Sequence, residues 1–308
     1  MEIYLPIAEL SINVFVLLGL GAAAGLLAGM FGVGGGFLAT PLLIFVGIPP
    51  AVAVASQANQ VIANSVSSLQ VQLRRGNVDL RMGAVLLLGG MIGSTAGVAL
   101  FTYLKNIGQI DFVIAVLYVV MLSTIGLLML TESLRTYIKR RRNPGAPRGK
   151  LHTHYLVHRL PLKLRFYKSK LYISALLPVG VGFVIGILSA ILGVGGGFVL
   201  VPAMIYLLGM PTTVVIGTSN FQILFVAANV TFLQAVTNGT VDVVLALLLI
   251  LGGVVGAPIG SRLAAKLPGV VLRGLMSVLI LAVAAQLLVE LLRTPSLPFS
   301  LGAREALQ

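Results

Sequence analysis

Long apolar runs alternate with short polar or Gly/Pro-rich breaks along the chain, at about 12–31, 37–48, 51–72, 81–104, 110–131, 171–192, 198–209, 212–235, 243–265 and 270–292. Most reach the ~20 residues a helix needs to cross about 30 Å of hydrocarbon, where only a helix or a closed barrel satisfies the backbone. Barrel strands are shorter and alternate in polarity, so continuous runs of this length predict helices. Runs 37–48 and 198–209 are much shorter and lead into Pro49-Pro50 and Met210-Pro211. Proline readily ends helices.

The pattern occurs twice. GLLAGMFGVGGGFLATP at 25–41 returns as GILSAILGVGGGFVLVP at 186–202, so Gly32 to Phe37 matches Gly193 to Phe198 at an offset of 161 residues. At an offset of 163, Gly76, Val78 and Asp79 match Gly239, Val241 and Asp242, and Gly89, Gly90, Gly93 and Gly97 match Gly252, Gly253, Gly256 and Gly260. On these offsets Asn59 aligns with Asn220 and Gln57 with Thr218. Self-similarity across half a polytopic chain is the sign of a transporter built from structural repeats.

Composition agrees: 58% of the 308 residues are hydrophobic and 9% charged, against about a quarter charged in soluble domains. With no cysteine, disulfides, thiolate metal sites and thiol relays are excluded. Glu2 and Glu9, with no Lys or Arg before Arg74, reverse the charge of a signal-peptide n-region, so the first run is expected to stay as a membrane element.

Net charge is +13, and 12 of the 21 Lys and Arg lie between Arg135 and Lys170. The bias then swaps between copies. Arg74, Arg75 and Arg81 mark a turn whose second-half counterpart, 237–242, has none, whereas Arg262, Lys266 and Arg273 mark a turn whose first-half counterpart holds Lys105. By the positive-inside rule, 74–81, 132–170 and 262–273 are cytoplasmic, and 105–111, 237–242 and both termini external. Each half must therefore cross an odd number of times. Either all five segments cross, or the first two meet at a midplane bend around GVGGGF and return, and the short second run favours the bend.

Two kinds of feature are candidates for chemistry. The GVGGG turns allow a ligand close to the main chain, and helix starts at Phe37 and Phe198 offer N–H groups suited to an anion. Glycines four apart, at Gly21, Gly25 and Gly29 or Gly252, Gly256 and Gly260, read instead as helix packing. The runs after each proline carry polar residues: Ser56, Gln57, Asn59, Gln60, Asn64, Ser65, Ser67, Ser68 and Gln70, then Thr218, Ser219, Asn220, Gln222, Asn229, Thr231 and Gln234. Gln57, Gln60, Asn64 and Ser68 share one helical face. Interhelical bonding would account for any one of them, but the cluster beside the glycine turn reads as a substrate path.

No Lys, Arg, Asp, Glu or His sits centrally in an apolar run. A buried carboxylate proton relay is therefore not visible, and no catalytic set exists, so the chain does not read as an enzyme. An anion would be held by neutral donors and helix dipoles, with proton movement riding on the substrate or transport proceeding as uniport. His152, His154 and His158 lie in the basic stretch without carboxylates nearby and read as a solvated loop; no metal or other cofactor is expected. RRRNPGAPRGK at 140–150 reads as a linker. LPLKLRFYKSK at 160–170 alternates apolar and basic residues, which suits an anionic leaflet. Orientation alone explains the positive charge, so nucleic acid is not an expected partner.

GLLAGMFGVGGGFLATPLLIFVGIPPAVAVASQANQV and its second copy, GILSAILGVGGGFVLVPAMIYLLGMPTTVVIGTSNFQI, resemble the TauE/SafE family of sulfite and organosulfur-anion transporters. The shared pattern is a Gly-rich hexapeptide, a proline four residues after its Phe, a second proline and a small-polar run ending in Asn, twice. The resemblance covers nearly all the chain apart from the connector and tail. It implies movement of sulfite, sulfonates or related oxyanions across the cytoplasmic membrane, outward in several members. The positions it implies are Gly34 to Gly36, Gln57, Asn59, Gly195 to Gly197, Ser219 and Asn220.

The sequence therefore predicts an all-α, polytopic integral membrane protein of two inverted-topology repeats, each with four to five hydrophobic segments. The N-terminal repeat spans 1–131, a basic cytoplasmic connector 132–170, the C-terminal repeat 171–294 and an external tail 295–308. Its partners are a small anionic substrate and anionic lipid, with oligomeric state unspecified. The candidate substrate-binding residues are Gly34, Gly35, Gly36, Gln57, Asn59, Gln60, Gly195, Gly196, Gly197, Thr218, Ser219 and Asn220. The alternative function is a channel-like anion conduit, or a scaffold recruiting a partner through the connector.

Overall fold

In a computed structural model, residues 2–31, 36–142, 163–169, 171–266 and 269–292 are described. The first half comprises β1 (Glu2–Leu5), β2 (Leu10–Asn13), α1 (Val14–Phe31), α2 (Gly36–Phe45), α3 (Pro50–Arg74), α4 (Leu80–Asn106) and α5 (Ile110–Arg142). The second repeats the order: β3 (Lys163–Phe166), β4 (Leu171–Ser174), α6 (Leu176–Leu192), α7 (Gly197–Tyr206), α8 (Thr212–Leu233), α9 (Val243–Lys266) and α10 (Gly269–Leu292). Five helical stretches are long and apolar enough to cross a membrane: Leu80–Asn106, Ile110–Arg135, Val214–Asn238, Val243–Gly260 and Gly274–Leu292. The protein is an all-α polytopic membrane protein.

Two features depart from the sequence expectation. Antiparallel hairpins β1–β2 and β3–β4 precede α1 and α6 in equivalent register, Glu2 opposite Asn13 and Lys163 opposite Ser174, so a strand stands within the stretch expected to be connector. The alternation at 163–166 is thus that of a strand. In addition, α5 continues through Arg142, so part of the expected connector is helix; residues 143–162, with the three histidines, and the tail at 293–308 lie outside the described residues.

The halves exchange helices. α1 packs along α9 and α4 along α6, while α3 meets α8 and α5 meets α10. In the α1–α9 seam a Cβ on Gly21 would stand 2.7 Å from the Leu249 carbonyl oxygen, one on Gly25 would strike Gly253, and one on Gly29 would strike Ala257. Partner numbers rise together, so the two helices run parallel. The equivalent seam repeats this register, Gly182 against Leu86 and Gly186 against Gly90. The spaced glycines are packing residues, as the sequence suggests, and their partners lie in the other half.

Hydrogen bonds sort the loops into two ends. At one end the Lys105 ammonium donates to the Asn238 carbonyl (2.7 Å), the Ala51 N–H to Asp111 (3.3 Å), and the Ile7 N–H to Asp242 (3.0 Å). At the other, Lys168 donates to the Gly76 carbonyl (3.3 Å), Ser169 donates to Asp79, and Arg81 and Arg165 both stand over the Tyr167 ring. The 25-residue α3 separates these ends. The basic hairpin and the 74–81 turn therefore share an end, as do 105–111 and 237–242, matching the grouping that charge predicts.

Each end has a clasp. Asp79 caps α4 through the Met82 N–H, its other oxygen accepts from both the N–H (3.0 Å) and hydroxyl (2.6 Å) of Ser169, and its own N–H donates to Thr218 (3.0 Å). Asp242 accepts from Leu245 and Ile7, and its N–H donates to Ser56 (2.9 Å).

Candidate functional site

Two short helices build the centre. α2 and α7 each have 10 residues, about 15 Å at 1.5 Å per residue and so about half a hydrocarbon core. The Phe37 and Phe198 rings, at the starts of these helices, stack with centroids 4.3 Å apart and planes 8° apart. Hairpin β1–β2 and hairpin β3–β4 sit at opposite ends, yet the starts of α2 and α7, which follow α1 and α6, meet. Neither α1 nor α6 is therefore followed by a helix that starts at the far end, which is the bend left open by the sequence.

The second turn is fully described. Gly193 closes α6 in a left-handed conformation, and Gly195 (φ +68) and Gly196 (φ +74) continue it into the α7 start at Gly197. A residue with a Cβ at these φ values costs about 1–2 kcal/mol each. Residues 193–198 are all buried, and the Tyr118 hydroxyl holds the turn by donating to the Leu192 carbonyl. α7 has Gly196 as N-cap, a residue with no side chain to cap it, so its N-terminal dipole is presented at the centre. In the first turn Gly34 and Gly35 lie outside the described residues; Gly36 begins α2, 3.2 Å from Val194 as measured to a notional Cβ. Val61 stands against both Gly36 and Gly195, and Ile223 also meets Gly195.

The polar candidates are placed less uniformly. Gln57 is buried and donates to Gln60 Oε1 (2.9 Å), while Gln60 donates to the Gly21 carbonyl (3.0 Å) at the α1–α9 seam. Thr218 accepts from the Asp79 N–H. Ser219 donates to the Ile216 carbonyl within its own helix. Asn220 links Ser68 (2.8 Å) with the Ile216 carbonyl (2.8 Å), joining α3 to α8. Asn59 is half-buried and donates only to the Ser56 carbonyl (3.3 Å) of its own helix. Structure brings Gly36 and Gly195 to Gly197 together, with α3 and α8 against them; Thr218 and Gln60 are committed to helix contacts. Among the described residues no group of three His, Asp or Glu could hold a metal.

Reciprocal contacts also correct the alignment inside α3 and α8. Ser56 and Thr218 make the same bond to the two aspartates, and Gln60 and Gln222 lie against Gly253 and Gly90, so equivalent positions are 162 residues apart. Gln57 then corresponds to Ser219, and Asn59 to Phe221. The double proline causes the slip: the N-cap of α3 is Pro49 and that of α8 is Pro211, whereas the motif offset pairs Pro50 with Pro211. A π-helical turn at Gln234–Asn238 then adds the residue that brings the offset to 163. Val61 and Ile223 enter the site only through this geometry; Ser65 and Gln222 belong to the polar runs read from the sequence but not to the residues chosen from them, and the correct offset would have singled out Gln222 as the partner of Gln60.

The profile of the sulfite exporter TauE/SafE family matches residues 17–287. A "probable membrane transporter protein" of Xylella fastidiosa (strain 9a5c) is 29% identical over 82% of this chain and 86% of its own length. The Bacillus subtilis (strain 168) probable membrane transporter proteins YunE and YjnA are 25% and 28% identical, over 89% and 87% of this chain and 97% of each relative. No solved structure matches the chain.

Proposed function

The chain belongs to the sulfite exporter TauE/SafE family, and we propose that it moves a small oxyanion, such as sulfite or a sulfonate, across the cytoplasmic membrane by alternating access between two inverted halves. That it is a multi-pass membrane transporter follows from the family and from the apolar helices. The oxyanion binds where α2 and α7 begin, against main-chain N–H groups and the positive ends of those two helices.

One observation carries this reading: the Phe37–Phe198 stack sets two helix N-termini against each other in the buried centre. Inversion is supported by the parallel run of α1 with α9 and α4 with α6. Successive helices within a half reverse direction, so an α9 aligned with α1 opposes its own counterpart α4. Sidedness is supported by the charge of the hairpins, Glu2 and Glu9 on the first, Lys163, Arg165 and Lys168 on the second. With the second hairpin and connector cytoplasmic, both termini are external, and the basic end meets anionic lipid.

Purified protein reconstituted into vesicles should pass sulfite or a small sulfonate faster than protein-free vesicles. Asn59→Leu, which removes a half-buried donor bound only to its own helix, should lower that flux roughly tenfold, the worth of one charge-assisted hydrogen bond, and leave the protein monodisperse. Flux no faster than in bare vesicles, for every oxyanion tried, removes the proposal; normal transport by Asn59→Leu removes this residue from it.

A further inference from the structure

Buried polar atoms are nearly always bonded, and the exceptions need a reason. Gln57 Oε1, Ser65 Oγ and Gln222 Oε1 have no partner among the described residues, on side chains 0%, 0% and 1% exposed. Gln57 and Ser65 flank the second glycine turn, and the Gln222 amide stands beside it against Gly90 of α4. Gln57 and Ser65 lie one turn either side of Val61, on its face of α3, and Val61 abuts Gly36 and Gly195; Gln222 adjoins Ile223, which also abuts Gly195.

The free end of Gln57 is fixed by its neighbours. Gln60 must turn its –NH2 to the Gly21 carbonyl, which leaves its oxygen facing Gln57, and Gln57 meets that oxygen with its own –NH2. A flipped amide would oppose like with like. What Gln57 presents is therefore an acceptor, which repels the oxygens of an anion. No acid of the protein supplies a proton there: the buried carboxylates among the described residues, Asp79 and Asp242, sit at helix starts and are engaged by backbone donors, and the Ser65 hydroxyl lies about two turns along α3 from Gln57.

Building on the transport reading, we infer that the bound oxyanion carries its own hydrogen-bond donor, an acid –OH or a hydroxyl or ammonium group on its carbon chain. The glycine-turn amides face its charged oxygens, and Gln57 Oε1 with Gln222 Oε1 accepts from the donor. No bond to hydrogen breaks. When the donor is an acid –OH, the proton crosses with the anion, which supplies proton movement in a membrane interior without a relay.

The test is flux into proteoliposomes, corrected for protein-free vesicles. Sulfite is compared in mildly acidic and mildly alkaline buffer, and 2-hydroxyethanesulfonate with methanesulfonate, ions of equal charge of which only the first carries a hydroxyl. Sulfite flux should fall roughly tenfold or more as the dianion replaces hydrogen sulfite, and the hydroxylated sulfonate should outrun the other by roughly tenfold or more, the worth of one net hydrogen bond. Gln222→Leu should bring the sulfonate ratio toward one and leave the protein monodisperse, since leucine nearly keeps the volume and removes the acceptor. Equal rates for the two sulfonates overturn the inference, as does sulfite flux indifferent to buffer. So does methanesulfonate flux that requires sodium, which would give the oxygens to a cation. Failure of all three anions to move removes the transport reading itself.

Discussion

Gly256→Leu is expected to abolish a stable fold, while Gly19→Leu, on the partner helix of the same seam, leaves it intact. A Cβ at Gly256 would collide with the backbone carbonyl of Ala22, and backbone in a helix cannot move aside without separating α1 from α9; at Gly19 nothing lies within 4 Å. Gly93, the repeat counterpart of Gly256, meets the Phe183 carbonyl in the same way, so Gly93→Leu should match it. Overpacking of this kind costs about 3 kcal/mol or more, a large share of a total stability of about 5–15 kcal/mol. Size-exclusion of detergent extracts and thermal unfolding read the difference: loss of the monodisperse peak for Gly256→Leu and Gly93→Leu, a parental profile for Gly19→Leu. A parental profile for Gly256→Leu would mean that the seam is not a close backbone contact.

Asp79→Ala should be the most damaging change to a charged side chain, and more damaging than Asp242→Ala. Removing Asp79 deletes the cap on α4, worth about 1 kcal/mol, and strands the buried N–H and hydroxyl of Ser169, for a further cost of about 2 kcal/mol. Asp242→Ala loses its cap and strands the Ile7 N–H, about 2 kcal/mol in all. Unfolding in a fixed detergent should rank Asp79→Ala below Asp242→Ala below the parent. Equal, negligible effects would show that the hairpins do not hold the opposite half.

The repeat, the membrane class and the packing role of the spaced glycines are legible in the sequence because each rests on a periodicity. What sequence does not specify is the partner of each face. Gly21, Gly25 and Gly29 read as a contact stripe, yet nothing in 14–31 says that the matching stripe is Gly252, Gly256 and Gly260, more than 200 residues away. Hairpin β3–β4 was open to reading, since Lys163, Leu164, Arg165 and Phe166 alternate with a period of two, but the same alternation also suits a leaflet surface. Ends of elements decide alignment, and Pro49-Pro50 offered two starts for α3 where only one is used. The polar face of α3 is legible as a face; that Gln57 spends its donor on Gln60 is not, because amide orientation depends on the Gly21 carbonyl from another helix.

The account rests on two halves that enter the membrane from opposite sides and meet at their glycine turns. Because the chain has no cysteine, single substitutions Tyr4→Cys and Tyr167→Cys can be labelled without background, and both tyrosines are well exposed on their hairpins, 59% and 66%. With a membrane-impermeant thiol reagent, Tyr4→Cys should react in intact cells and Tyr167→Cys only after permeabilisation. Labelling of both from the same side would contradict it.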